Sequence, residues 1–119
     1  MKITKKSQKN NFKPGYSSEK ALEELGFETV EEMNDYAFNI LNIEEASKKD
    51  GVEYLKLWVH SLEKSPIAIK LERTDKLVKQ LEKVEVYSPV KFENIGACVY
   101  KKKDCPRLVY YNAERMEVL

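Results

Sequence analysis

The residues best suited to bind a charged ligand lie near the C-terminus, in the stretch IGACVYKKKDCPRLVYY from Ile95 to Tyr111. Two runs of β-branched and aromatic residues flank a polar tip, which predicts a β-hairpin whose loop is longer than two residues. Cations that neutralise phosphates beside rings that stack on bases are typical of proteins that bind single-stranded nucleic acid. The predicted binding residues of this basic hairpin tip are Tyr100, Lys101, Lys102, Lys103, Arg107, Tyr110 and Tyr111. Alternatively, the lysines are solvated turn residues that deter edge pairing, and the tyrosines cover the sheet.

A second set of charged residues lies in the first third of the chain and is acidic. Its functional interpretation is a docking face for a basic protein surface, or a decoy for a nucleic-acid-binding groove. Three of its members lie near predicted helix N-termini, where a carboxylate stabilises the helix dipole, so a local explanation also exists. The residues of this acidic face are Glu23, Glu24, Glu28, Glu31, Glu32 and Asp35.

Residues with metal-binding or redox chemistry are few. His60 is the only histidine, and Cys98 and Cys105 are the only cysteines. The predicted hairpin places Cys98 opposite about Tyr110 and Cys105 in the loop, several strand residues away at roughly 3.3 Å each, too far for a disulfide. A zinc site needs a fourth ligand, and the sequence has no C-x-x-C pair. We therefore expect no metal and no disulfide.

Sequence motifs for catalysis or cofactor binding are missing. The chain contains no G-x-x-x-x-G-K-[ST], G-x-G-x-x-G, H-E-x-x-H or G-x-S-x-G pattern. A Ser–His–Asp or Cys–His mechanism would need His60 as its base, and nothing near it in the sequence supports that role. We expect no enzymatic activity and no cofactor.

The charge of the 119 residues is unevenly distributed, although the net charge is only +1. Residues 1–17 carry five lysines and no acid, whereas residues 18–50 carry ten acids against three lysines. This segregation favours oriented contacts with a charged partner over general affinity for polyanions.

The composition also bears on the compartment. The N-terminal lysines are not followed by the apolar segment of a signal peptide. The longest apolar run, Ile95 to Tyr100, has six residues, whereas a membrane-spanning helix needs roughly 20. Two cysteines without an export signal are typical of free thiols in a reducing compartment. The sequence predicts a cytoplasmic protein that does not bind membranes.

Helix signals dominate the first two thirds of the chain. Ser17 or Ser18 can cap a short helix that Gly26 ends, and Thr29 and Glu32 form a capping box for the next helix. Apolar residues recur at helical spacing after each start signal. The predicted helices are 19–25, 30–49, 51–64 and 66–83.

Three of these helices have alternatives. Asn42 can end the second one early. Residues 52–59 and 67–72 also alternate as strands do, and in that case a short helix begins at Asp75.

Strand signals are confined to the end of the chain. The predicted strands are 84–88, 95–101, 107–111 and, at the edge, 115–119. The fold class that follows is α+β, with N-terminal helices packed on a small antiparallel sheet. Residues 1–17 are predicted to be a flexible basic arm, and residues 18–119 a single domain.

These observations rank three functions. The first is a small cytoplasmic protein-binding module of the adaptor or inhibitor type, which binds a charged protein surface by complementarity and without catalysis. The alternative is single-stranded nucleic-acid binding through the basic arm and the Lys101–Arg107 hairpin tip. A small enzyme without a recognisable motif comes third.

Overall fold

The computed structural model describes residues 1, 3–4, 15–46, 48, 50–61, 64–102 and 105–119. Short helices separate longer strands along the chain. The elements in order are β1 (Ile3–Thr4), α1 (Ser18–Leu25), α2 (Val30–Asp35), β2 (Phe38–Glu45), β3 (Tyr54–Ser61), β4 (Lys64–Glu72), α3 (Asp75–Glu82), β5 (Pro89–Glu93), β6 (Gly96–Lys102), β7 (Cys105–Asn112) and β8 (Arg115–Val118).

The described strands form one mixed sheet in the order β6-β7-β4-β3-β2-β5-β8. Strand β4 runs parallel to β7, and the other neighbours in this order are antiparallel. The short β1 pairs in parallel with the C-terminal half of β2, beyond the point where β5 pairs with its N-terminal half. The sheet therefore joins the C-terminal hairpin to strands from the middle of the chain.

The predicted fold class is wrong, because the sheet is the main element and the helices are short and interspersed. Strands β3 and β4 occupy the residues for which helices 51–64 and 66–83 were predicted. Leu55, Leu57 and Val59 are all buried, which is the alternation of a strand with one covered face. The strand alternatives for 52–59 and 67–72 are correct, and α3 begins at Asp75 as that alternative requires.

The predicted helix 30–49 ends at Asp35, and β2 follows it. The buried residues of β2 are Phe38, Ile40 and Ile43, because the pairing register with β3 shifts between Ile40 and Asn42. A bulge of this kind adds one residue to a strand and so converts a spacing of two into three. The longer helix was predicted because Ile40 and Leu41 continue the helical spacing of the preceding apolar residues, but Leu41 is not among the buried residues of β2.

The predicted strand 84–88 is also wrong, since these residues form a turn and β5 begins at Pro89. Tyr87 adopts a positive φ of 72° there, and its N–H donates to the Ile40 carbonyl at 2.7 Å. The predicted hairpin, the edge strand at the end of the chain and the helix near 19–25 are confirmed as β6–β7, β8 and α1.

One face of the sheet, here called the inner face, is buried beneath the helices. Ala21 of α1, Met33 of α2, and Leu77 and Leu81 of α3 belong to the same core as the inner residues of β2, β3 and β4. Burying a side chain of this size stabilises the fold by roughly 1.5–3 kcal/mol for Leu, Ile, Val, Phe or Met. In the part of the chain that the structure describes, no helix has the length and apolar character of a membrane span.

The first seventeen residues contact the domain at both of their described ends. The Met1 ammonium donates to the Leu81 and Val84 carbonyls at 3.5 and 3.4 Å. At the other end, Ser17 and Ala97 exchange two main-chain hydrogen bonds of 2.9 Å. Residues 2 and 5–14 lie outside the described residues, so the flexibility of the arm stays a prediction.

The contribution of the Thr29 cap of α2 to stability can be tested by mutation. The Thr29 hydroxyl accepts from the Glu32 N–H at 3.1 Å, as the capping box requires. Thr29→Ala removes this acceptor and should lower the free energy of unfolding by about 1 kcal/mol, whereas Thr29→Ser should keep it within about half of that. The urea midpoints of the two variants measure the difference. Equal midpoints for the wild type and Thr29→Ala would contradict the role of the cap.

Candidate functional site

The outer face of the sheet carries two lysines at facing positions. Lys56 of β3 pairs directly with Lys70 of β4 in the antiparallel register. On the far side of Lys56, Glu44 of β2 occupies the next position in the same row, and its Oε1 lies 3.7 Å from the Lys56 Nζ. Like charges at directly opposite positions destabilise a sheet. One nearby carboxylate thus offsets part of the charge of two lysines.

Aromatic rings hold the second lysine. The Lys70 Nζ lies 5.0 Å from the centroid of the Tyr54 ring and 5.9 Å from that of the Tyr16 ring. A cation over the face of a tyrosine ring is attracted by the ring quadrupole. The Lys70 ammonium is therefore oriented by two rings on the outer face.

A small residue opens a hollow between two larger rings in the neighbouring row. Trp58 of β3 pairs with Ala68 of β4, and the parallel register of β4 with β7 places Ala68 beside Tyr110. The resulting concavity has a volume of about 310 Å³, the lower end of the range for small-molecule sites. We call it the aromatic–lysine hollow; its lining includes Tyr16, Lys56, Trp58, Ala68, Lys70 and Tyr110.

A hydrogen bond fixes one wall of the hollow. The Trp58 Nε1–H donates to the Glu44 Oε1 at 3.1 Å. The same carboxylate oxygen lies near the Lys56 ammonium, so Glu44 orients both an aromatic and a cationic residue of the hollow. Such fixed side chains lose little conformational entropy when a ligand binds.

Tyr16 reaches the hollow because Gly96 has no side chain. A Cβ atom at Gly96 would lie 3.2 Å from the Tyr16 Cβ and 2.7 Å from the Asn112 Oδ1, both closer than ordinary contacts. The pairing of Ser17 with Ala97 holds the adjacent main chain against β6. Burial, with smaller contributions from Cys98, Tyr110 and Tyr54, raises the pKa of Tyr16 to about 12, so its phenol is neutral at physiological pH.

The structure separates the predicted residues of the basic hairpin tip. Tyr110 and Tyr111 both belong to the lining of the hollow, although Tyr111 is buried and pairs with Ala97. Tyr100 is half-buried on β6. Lys103 lies outside the described residues, as do the side chains of Lys101, Lys102 and Arg107. Cys98 lies opposite Tyr110, as predicted, and is a buried free thiol. The predicted long loop is wrong, because the strands continue to Lys102 and Cys105, which pair with each other, so Cys105 belongs to β7.

The residues of the acidic face lie on α1, α2 and the connection between them, away from the hollow. Glu31 and Glu32 occupy the first turn of α2, where their charge favours the helix dipole. The Asp35 Oδ1 accepts from the Lys91 ammonium of β5 at 3.4 Å. Glu23 and Glu28 are exposed, and Glu24 is half-buried. Local contacts account for part of this acidic cluster.

Sequence reasoning missed most residues of the hollow. Tyr16 was assigned to the arm, and Lys56, Trp58 and Lys70 were assigned to helices. The available signal was the strand alternative for 52–59, because alternation places Tyr54, Lys56 and Trp58 on one face. The facing position of Lys70 depends on strand pairing and has no local signal.

Comparisons of this chain with protein-family models, with curated proteins and with solved structures give no match. His60 is exposed at the end of β3, and the described residues contain no group of three His, Cys, Asp or Glu side chains arranged to hold a metal ion.

The raised pKa of Tyr16 makes a prediction about alkaline stability. An unfolded tyrosine loses its proton near pH 10, whereas Tyr16 in the folded protein keeps its proton until about pH 12. The contribution of Tyr16 to stability is therefore complete below pH 10 and is lost as the pH rises towards 12. The urea midpoint of the wild type should fall more between pH 9.5 and pH 11.5 than that of Tyr16→Phe. An equal fall in the two proteins would show that Tyr16 ionises normally.

Proposed function

We propose that the protein is a non-catalytic binding module whose outer sheet face binds single-stranded nucleic acid. A base enters the aromatic–lysine hollow, and Lys56 and Lys70 contact the adjoining phosphates. In this proposal the protein acts in the cytoplasm, the compartment that its composition predicts.

The facing pair of lysines is the observation that carries the proposal. The main chain of two paired strands holds Lys56 and Lys70 next to each other. Like charges at facing positions repel, and the Glu44 carboxylate beside Lys56 offsets part of that repulsion. A phosphate placed between the two ammonium groups relieves this repulsion and gains two charge-assisted contacts.

The dimensions of the hollow suit a planar group. Trp58 and Tyr110 lie on strands separated by β4 alone, so their main chains are roughly 10 Å apart at about 4.8 Å per strand spacing. A ring stacked between two others needs about 7 Å, twice the usual carbon contact distance of roughly 3.5 Å. Ala68, between them, leaves this space open.

Several classes of ligand can stack on aromatic rings, and the positive charge of the lining favours one of these classes. A cationic ligand would meet the Lys56 and Lys70 ammonium groups, so a methylated amine is disfavoured. A neutral sugar can stack on rings but supplies no negative charge to the two lysines. A nucleotide supplies a ring and a negative charge together, which matches both parts of the lining.

A protein partner, the first function predicted from sequence, would dock on the acidic face, which lies on α1, α2 and their connection and not on the outer face of the sheet. The carboxylates of Glu31, Glu32 and Asp35 have local roles in α2 and at β5. Nucleic acid therefore replaces a protein as the first proposal for the outer face.

Steric blocking of the hollow gives the sharpest test. Ala68→Leu fills the space between Trp58 and Tyr110 and removes no charge. We expect the wild type to bind a labelled oligothymidylate of about 12 nucleotides, within the usual range of single-strand site sizes, and Ala68→Leu to bind at least tenfold more weakly. Fluorescence anisotropy at about 0.15 M salt measures both affinities. A wild-type Kd no better than about 10⁻⁴ M, which is the level of non-specific binding, would refute the proposal.

Removing the lysines tests the phosphate contacts. Lys70→Gln should lower the log–log slope of affinity against salt by about 0.7, and Lys56→Gln with Lys70→Gln by about 1.4, because each lost phosphate contact on a single strand contributes roughly 0.7. Lys79→Gln, on α3 at the opposite end of the sheet, is the matched control and should keep the wild-type slope. Unchanged slopes in the single and double variants would exclude these lysines from the phosphate contacts.

A further inference from the structure

A second concave surface lies between α3 and the edge strand β8, at the end of the sheet opposite the hairpin. It encloses about 550 Å³ and is lined by Lys76, Lys79, Gln80, Lys83 and Val118. The three lysines are spaced by three and four residues, which places them along one side of α3. The other side of α3 buries Leu77 and Leu81 in the core. We call this surface the α3–β8 groove.

The charges in the groove have no partner within the described part of the chain. Lys76, Lys79 and Lys83 are exposed, and none of them has a carboxylate of a described residue within 4.0 Å. Other surface lysines differ in this respect: Lys48 pairs with Glu53, and Lys91 with Asp35. The groove is therefore a concentration of positive charge on a protein whose net charge is +1.

The wall opposite α3 offers main-chain hydrogen-bonding groups. The Leu119 N–H donates to the Pro89 carbonyl at 3.3 Å, so Val118, one residue earlier, directs its own main-chain groups away from β5. Met116 has the same orientation, and its carbonyl accepts from the Gln80 Nε2 of α3 at 3.0 Å. Among the described strands, β5 alone pairs with β8. The N–H and C=O of Val118 are thus available at the edge of the sheet.

Exposed apolar side chains adjoin the same end of the groove. Val86 and Tyr87 are 55% and 68% exposed in the turn that leads from α3 to β5, and Leu119, 55% exposed, follows Val118. These three are the large apolar side chains that are exposed among the described residues. The Leu119–Pro89 hydrogen bond brings the end of β8 next to this turn.

We propose that the α3–β8 groove binds an extended acidic peptide segment of a partner protein. The segment adds a strand to the edge of β8 through the main chain of Val118. Its carboxylates contact Lys76, Lys79 and Lys83, and its apolar side chains contact Val118 and Leu119.

The lining favours a peptide over a nucleic acid. The lining of the groove carries no aromatic ring, and the adjoining turn adds the single exposed ring of Tyr87, whereas several rings surround the aromatic–lysine hollow. An edge strand supplies the alternating donors and acceptors that an extended peptide pairs with, and lysines beside it select acidic side chains. Exposed apolar residues beside the groove can pack against apolar side chains of the peptide. A charged phosphate backbone has no apolar groups to pack against them.

A labelled peptide of about ten residues, in which Glu and Val alternate, is a suitable probe, because strand addition reads alternate side chains. We expect it to bind the wild type by fluorescence anisotropy, and the same peptide with Lys in place of Glu not to bind. The triple variant Lys76→Gln, Lys79→Gln, Lys83→Gln should bind the acidic peptide at least tenfold more weakly. Gln is a good helix former, so α3 should persist. Lys70→Gln, on the outer face, is the control and should bind normally.

A change in the peptide alone separates strand addition from general charge attraction. Methylation of alternate peptide nitrogens removes the donors of an added strand and leaves every charge in place, so one of the two possible methylation patterns should abolish binding. Binding that survives both patterns, or that survives in the triple lysine variant, would overturn the proposal. The proposal would also fail if the oligothymidylate lost affinity in the triple variant and kept it in Ala68→Leu, because the groove would then be the nucleic-acid site.

Discussion

The pairing of β3 with β4 is the constraint on which the rest of the structure depends. Its register places Leu57 opposite Ile69 on the inner face and, one residue earlier, Lys56 opposite Lys70 on the outer face. A slip of one residue would exchange the two faces of the strand that moved. Each buried apolar side chain is worth roughly 1.5–3 kcal/mol, whereas the favourable cross-strand pairs on one face of a sheet are worth only roughly 0.2–1 kcal/mol each. The core therefore decides the register, and the repulsion between the lysines follows from it.

The ends of the sheet then acquire different surfaces. Helix α1 packs against β6, and Ser17 pairs with Ala97, which brings Tyr16 over Gly96 beside β7 and β4. Helix α3 packs near β8 and caps the Met116 carbonyl through Gln80. The first arrangement gathers aromatic rings around two lysines, and the second leaves three lysines beside an edge strand. If both proposals hold, one small domain can join a single strand of nucleic acid to an acidic protein segment without either ligand covering the other.

Local signals in the sequence predicted local structure well. Ser17, Gly26 and Thr29 act as the caps that their residue types indicate. The two strands of the β6–β7 hairpin form where their β-branched and aromatic residues predict them. Residues 51–72 were mistaken for helices because their apolar residues also fit a helical spacing. Residues 38–45 were mistaken because Ile40 and Leu41 continue the apolar stripe of the helix that begins at Val30. Propensity is a weak guide to strands, since pairing with distant residues supplies much of their stability. The aromatic–lysine hollow depends on three such pairings, so only Tyr110 and Tyr111 of its lining were among the predicted binding residues.

The single tryptophan allows the most direct test of the central claim, because Trp58 forms one wall of the hollow. A base that stacks beside the indole should quench its fluorescence, and the quenching should saturate at the same oligothymidylate concentration as the anisotropy of the labelled strand. We predict saturable quenching in the wild type and in Lys79→Gln, and its loss in Ala68→Leu. A complex that forms by anisotropy and leaves the Trp58 emission unchanged would place the nucleic acid elsewhere and contradict the account.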